Sequence, residues 1–138
     1  MYKPMKYFTI NELTKSSKAN ALGIDNIPTE RAANSLNQLI DNILDPLREA
    51  WGAPIQVTSG YRCPELNRAV GGSNTSQHVL GEAADIKAVP GTKSNNEKLY
   101  KLIRELNLPV DQCINEYNYS WIHVSYGPRH RRMYFAIK

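Results

Sequence analysis

Cysteine is scarce in this sequence: Cys63 and Cys113 are far apart and belong to no C-x-x-C pair. That argues against a disulfide framework or a zinc ribbon, and both residues read as ordinary half-buried thiols. Only Arg62 stands beside Cys63 to lower its pKa, which makes it a poor nucleophile. No apolar run approaches the roughly 20 residues of a membrane-spanning helix. The N-terminus, Met1 to Tyr7, lacks the apolar core of a secretory signal. The product is therefore expected to be made in the cytoplasm without a signal peptide, any work outside needing another route. The excess of one charge sign is small, 17 basic against 13 acidic residues for a net +4, and favours an anionic partner only weakly. Neither a basic helix nor an aromatic–basic alternation is present, so no nucleic-acid partner is expected. Internal repeats and low-complexity segments are absent.

What is present fits a single domain over residues 1–138. The chain is 41% hydrophobic and 22% charged, long enough to bury a real core. Phe8 to Lys15 carries a capping-box pattern, Thr9 with Glu12, and reads as a short helix. Ser16 to Ile27 is polar and reads as an irregular surface connection. Pro28-Thr29-Glu30 opens the longest helix, with proline in the first turn. Leu36, Leu39, Ile40, Ile43, Leu44 and Leu47 line the one face that covers a sheet. Pro46 predicts a kink or break near Asp45. Beyond Trp51-Gly52-Ala53-Pro54, Ile55 to Tyr61 alternates like a half-buried strand. Continued, it puts Arg62 on the polar face with Gln56, Thr58 and Gly60.

Pro64 to Val70 suits a short helix, Ala83 to Lys87 a second strand, and Asn96 to Leu106 a second covering helix. Val110 to Glu116, the loop Tyr117 to Ser120, and Trp121 to Tyr126 read as strand, loop, strand. The Arg129-His130-Arg131-Arg132 run reads as a solvated turn, with a lesser reading as a hold on an acidic polymer. Met133 to Ile137 is a closing edge strand. The expected fold is α+β: a small single domain whose central, mostly antiparallel sheet is covered by helices on one face, with the last strands meandering.

The chemistry concentrates in Ser76-Gln77-His78-Val79-Leu80-Gly81-Glu82-Ala83-Ala84-Asp85, just after the loop Gly71-Gly72-Ser73-Asn74-Thr75. A glycine between an imidazole and a carboxylate lets the chain aim both at one point. His123, in the strand Trp121 to Tyr126, offers a third donor. Singly, His78 is an exposed histidine, Asp85 a turn cap and His123 a bonded core residue. Together, two histidines and a carboxylate are the ligand set of a catalytic zinc with its fourth position left to water. One Zn²⁺ on His78, Asp85 and His123 is expected.

A zinc hydrolase also needs a group to carry protons, usually a carboxylate. If the hairpin loop is Tyr117 to Ser120, Glu116 pairs with Trp121 and Ile114 with His123. Glu116 is then diagonal to His123 on the same face, about 7–8 Å away. Gln112 falls on that face opposite Ser125. Of the competing carboxylates, Glu82 has the wrong alternation with Asp85, and Glu65 is expected to be exposed on a short helix. Tyr117, Tyr119, Trp121 and Tyr126 are packing or a substrate-facing rim, with Trp121 read as packing.

Ser76-x-His78-x-x-Gly81-x-Ala83-x-Asp85, followed by Trp121-Ile122-His123, resembles the signature of the M15 zinc peptidases. That family includes D-alanyl-D-alanine carboxypeptidases, related dipeptidases and phage endolysins that cut peptidoglycan stem peptides. Ser59-Gly60-Tyr61-Arg62 is similar to the family's arginine-bearing strand, and the likeness runs from about Val57 to Tyr126. The resemblance implies zinc on His78, Asp85 and His123, with Arg62 binding or polarising the scissile carbonyl. It also implies a small α+β domain and hydrolysis near D-alanine by zinc-activated water, as a carboxypeptidase or an endopeptidase. The peptidoglycan stem peptide is then the substrate, the wall is reached after release or by a phage route, and a monomer is expected. Several members carry the catalytic glutamate where Ser120 stands here. Glu116 is the substitute, resembling the short phage-type branch. Ser120 also motivates a second reading, a zinc-stabilised binding or structural module, such as a phage particle component, without turnover.

Overall fold

In the computed structural model the described residues are 7–138. Residues 1–6, on which the reading of the N-terminus largely rests, lie outside them. Helix α1 (Ile10–Thr14) begins where the Thr9 side chain accepts from the Glu12 backbone N–H. The stretch read as an irregular connection holds a second helix, α2 (Ser17–Leu22). The Ser16 hydroxyl caps its start by accepting from the Ala19 N–H, Gly23 closes it in the left-handed region, and Ala19 is buried. A serine cap and a glycine stop are enough where one small apolar side chain anchors the turn.

Helix α3 (Glu30–Leu39) starts one step later than expected. Thr29 is the cap and accepts from the Ala32 N–H, so Pro28 precedes the helix rather than opening it. The chain then runs through a π-helical turn (Ile40–Leu44) into α4 (Asp45–Trp51), with Pro46 in the first turn. Proline brings no N–H to the ladder, and a wider turn just before it takes up the mismatch. All six apolar residues of this face, Leu36, Leu39, Ile40, Ile43, Leu44 and Leu47, are fully buried. Gly52 ends α4 with a left-handed φ.

The sheet comprises β1 (Ile55–Ser59), β2 (Ala83–Ala88), β3 (Gln112–Glu116), β4 (Trp121–Ser125) and β5 (Met133–Ile137), in the order β1-β2-β4-β3-β5. Helix α5 (Pro64–Ala69) follows β1, and α6 (Lys93–Glu105), capped by Thr92 and begun earlier than the spacing suggested, follows β2. Every pairing is antiparallel except β3 with β5, which is parallel. A simple meander would put β5 against β4. Both edges of β4 are already taken by β2 and β3, so the chain crosses to the free edge of β3.

Strand parity divides the sheet. Val57, Ala84, Ile86, Ile122, Val124 and Cys113 share the core with the helices. Asp85, His123, Ile114 and Glu116 occupy the opposite face. A bulge between Val57 and Ser59 changes the parity of β1, so that Ser59 pairs with Asp85. The expected continuous alternation up to Arg62 is thereby broken: one extra residue re-aims the strand's exit toward the face that carries Asp85 and His123. Burial of Cys113 pushes its thiol pKa well up, as suits an inert core residue. Both cysteines are free. Among the described residues no helix is long and apolar enough to cross a membrane.

Candidate metal centre

Each of the three donors is delivered by a different local device. His78 lies in the turn between α5 and β2, where its backbone N–H donates to the Ser76 hydroxyl at 3.2 Å and its carbonyl accepts from the Arg62 N–H at 3.1 Å. Gly81 completes that turn with φ +73°, and a side chain there would press into the Ala32 backbone. The glycine inside the motif is thus required both by its left-handed backbone and by close packing. Asp85 and His123 are directly paired across β2 and β4. Ligand atoms of His78, Asp85 and His123 all lie within 4.8 Å of one another, and the residues are only 4%, 7% and 9% exposed.

The proton inventory of this cluster bears on whether a cation fits. The Nδ1–H of His78 donates to the Gly60 carbonyl at 2.7 Å, so a neutral ring offers its Nε2 lone pair, 3.4 Å from Asp85 Oδ1. His123 Nε2 lies 3.3 Å from Gln77 Oε1, an acceptor, and its Nδ1 lies 3.1 Å from the same Asp85 oxygen. Three acceptor atoms therefore converge with no proton among them while both rings are neutral. Buried lone pairs do not face one another uncompensated; the point calls for positive charge, from a cation or from protons on the imidazoles. Burial alone would raise the Asp85 pKa. Hydrogen bonds from His123 and His78, together with their charge, outweigh it and hold the carboxyl well below its usual range. Two nitrogens and one carboxylate oxygen in one tight cluster suit zinc.

Glu116 pairs with Trp121 and Ile114 with His123, as hairpin parity predicted, and Glu116 Oε2 lies 4.0 Å from His123 Nδ1. The hairpin loop is unusual: Tyr117, Asn118 and Tyr119 all have positive φ. Its carbonyls at Tyr119 and Ser120 are held by the buried amide of Asn96, and Ser120 Oγ donates to the Tyr117 carbonyl at 2.7 Å. Ser120 therefore serves the turn. Three consecutive left-handed residues are costly and persist only where surrounding bonds fix them.

Arg62 spans the other wall. Its Nε donates to Ser59 Oγ at 3.4 Å and one terminal nitrogen to Asn67 Oδ1 at 3.3 Å, while the other lies 3.9 Å from Asp85 Oδ2. These residues border a cleft of about 750 Å³. Glu82 and Glu65 do not line it. Tyr117 and Trp121 do, with ring centroids 5.1 Å apart; Trp121, read as packing, lies on the cleft face of the sheet paired with Glu116 and belongs to the rim. Tyr119 instead meets Tyr100 on the core side, and Tyr126 stacks on His130.

The basic turn Arg129 to Arg132 is exposed, as read, yet it is also bonded to the body of the protein. Arg131 makes two bonds to Asp111, at 2.6 and 2.9 Å, and both Arg129 and Arg131 line the cleft. Asp111 in turn accepts from Gln77 Nε2 at 2.9 Å. Neither Gln77 nor Asp111 was singled out from the sequence. Gln77 stands at a position that the motif Ser76-x-His78 leaves unspecified. A carboxylate beside Val110 at the start of an apolar strand was the available signal for Asp111.

A protein-family model described as Peptidase M15 matches residues 6–125. A search of curated proteins finds no match.

Proposed function

Because the chain belongs to the peptidase M15 family, we propose that it is a zinc metallopeptidase that hydrolyses a peptide bond near D-alanine in peptidoglycan stem peptides. His78, Asp85 and His123 hold one Zn²⁺, Glu116 is the general base, and Arg62 steadies the oxyanion. The observation that carries this reading is the convergence of three buried acceptor atoms with a second carboxylate, Glu116, 4.0 Å from one of them in an open cleft.

Zinc in such a site supplies Lewis acidity, polarising a carbonyl and making water nucleophilic near neutral pH. Glu116 Oε2 accepts the proton that the attacking water loses as the C–O bond forms. The same oxygen returns that proton to the amine nitrogen as the C–N bond breaks. Arg62, anchored by Ser59 and Asn67, presents a guanidinium nitrogen at the opposite wall, where negative charge develops on the carbonyl oxygen. The cleft's aromatic rim, Tyr117 and Trp121, offers apolar surface for the peptide. Arg62, Arg129 and Arg131 give it positive charge suited to the carboxylates of a stem peptide.

The test is hydrolysis of synthetic stem peptides by the purified chain, followed by chromatography of the products. Activity is expected with zinc, is lost on chelation and returns on zinc addition. It is absent in His78→Ala. Full zinc occupancy with no cleavage of any stem peptide would instead favour the binding or structural module that Ser120 motivates.

A further inference from the structure

We propose that Gln77, locked by Asp111 and Arg131, is a positioning residue that determines which nitrogen of His123 is offered to the metal. The proposal rests on the zinc reading of His78, Asp85 and His123.

A glutamine amide has a donor end and an acceptor end, and nothing in its shape says which faces a neighbouring imidazole. Here Asp111 decides. Its carboxylate only accepts, so the amide must turn its NH₂ toward Asp111 (2.9 Å) and its carbonyl toward His123 Nε2 (3.3 Å). A carbonyl at that distance selects the ring form with the proton on Nε2, which leaves the Nδ1 lone pair directed at the cluster with Asp85.

Asp111 must stay ionised for this to hold. It is 2% exposed, which alone would favour the neutral acid. The bidentate bond from Arg131 holds its carboxyl below the usual carboxylate range, against the effect of burial and with help from Gln77. Arg129, with a nitrogen 3.9 Å from Asp111, adds positive charge on the same side. Reversal of the amide would place its carbonyl against a buried carboxylate and its NH₂ against Nε2, opposing acceptor with acceptor at one end. His78 is set differently, by the backbone carbonyl of Gly60. The two imidazoles thus have separate orienting partners, one in the backbone and one in a side-chain relay. Arg131 lies beyond the residues matched by the family model, 6–125, so the lock is supplied by this chain's own last turn.

The test is zinc affinity of the full chain, measured by competition with a chromophoric chelator. Proton–nitrogen NMR of the histidine rings in the zinc-loaded protein is read alongside it. Gln77→Met keeps the length of the side chain and removes both polar ends; it is expected to weaken zinc binding about 10–100-fold, as losing an outer partner of a metal-bound histidine does. The His123 Nε2–H resonance should vanish through exchange. The double variant Gln77→Glu with Asp111→Asn rebuilds the relay with its donor and acceptor ends exchanged. It should recover most of the lost affinity together with that resonance, which mere volume filling would not do. Should Gln77→Met fail to fold, Arg131→Met on the outer turn gives the same reading: weaker zinc binding supports the lock, and unchanged binding overturns it. Wild-type affinity in Gln77→Met overturns the proposal and leaves the metal reading standing. A wild-type chain that takes up no zinc overturns both.

Discussion

Glu116→Gln is expected to slow stem-peptide hydrolysis by about 10²–10⁴-fold, the usual worth of a positioned acid–base group, while zinc uptake stays at the wild-type level. The substitution keeps the size and shape of the side chain. Glu116 sits at the end of β3, paired with Trp121, with its side chain turned to the cleft, so the hairpin should be undisturbed. What is lost is the capacity of Oε2 to take a proton beside His123 Nδ1, 4.0 Å away. Steady-state kinetics with metal analysis of the same preparation checks both halves. A variant that cuts as fast as wild type with zinc bound would place the base elsewhere. Among the described residues, Glu82 and Glu65 are poor alternatives, since neither lines the cleft.

The second large effect is expected from Asp85→Asn, which should lower zinc affinity well beyond the roughly 10–100-fold associated with an outer partner. Asp85 is the one anionic donor of the three and is in hydrogen-bond contact with His123 and close to His78. With an amide in its place, the two imidazoles meet a neutral group, and a divalent cation loses its compensating charge. The consequence is also thermal. A ligand at a thousand times its Kd stabilises the folded state by about 4 kcal/mol, worth several degrees in Tm for a domain of this size. Wild type should therefore melt markedly higher with excess zinc than with chelator, and Asp85→Asn should show little difference between the two. An undiminished zinc-dependent rise in the variant would remove Asp85 from the ligand set.

Much of this site was legible in the sequence because it depends on parity. A hairpin whose loop is Tyr117 to Ser120 can put Glu116 and His123 on one face in only one register, and that register is the one observed. The apolar spacing of Leu36 to Leu47 likewise admits only one buried face. The features that escaped are those that local pattern does not encode. The bulge between Val57 and Ser59 re-aims the approach to Arg62, yet a bulge leaves no mark in an alternation of side chains. Helix α2 is too short to show a period, and only Ser16, Ala19 and Gly23 hold it. The parallel pairing of β5 with β3 follows from the occupancy of β4, a fact of the assembled sheet. The relay from Arg131 through Asp111 and Gln77 joins three segments that sequence order keeps apart, and each residue looks ordinary alone.

These omissions share a physical cause. Ligating residues must be specific chemical types, so they stand out in a sequence. The groups that orient them need only a donor or an acceptor at the right place, and many residue types provide one. Asn67 and Asn96 illustrate the point: both are buried and both anchor loops beside the cleft, one at Arg62 and Ser73, the other at the hairpin turn.

The measurement that bears most directly on the central claim is anomalous diffraction at the zinc edge from crystals of the zinc-loaded chain. A single peak is expected about 2.0–2.2 Å from His78 Nε2, an Asp85 carboxylate oxygen and His123 Nδ1, with Glu116 facing the fourth position. A peak away from these three residues, or none at full zinc loading, would contradict it.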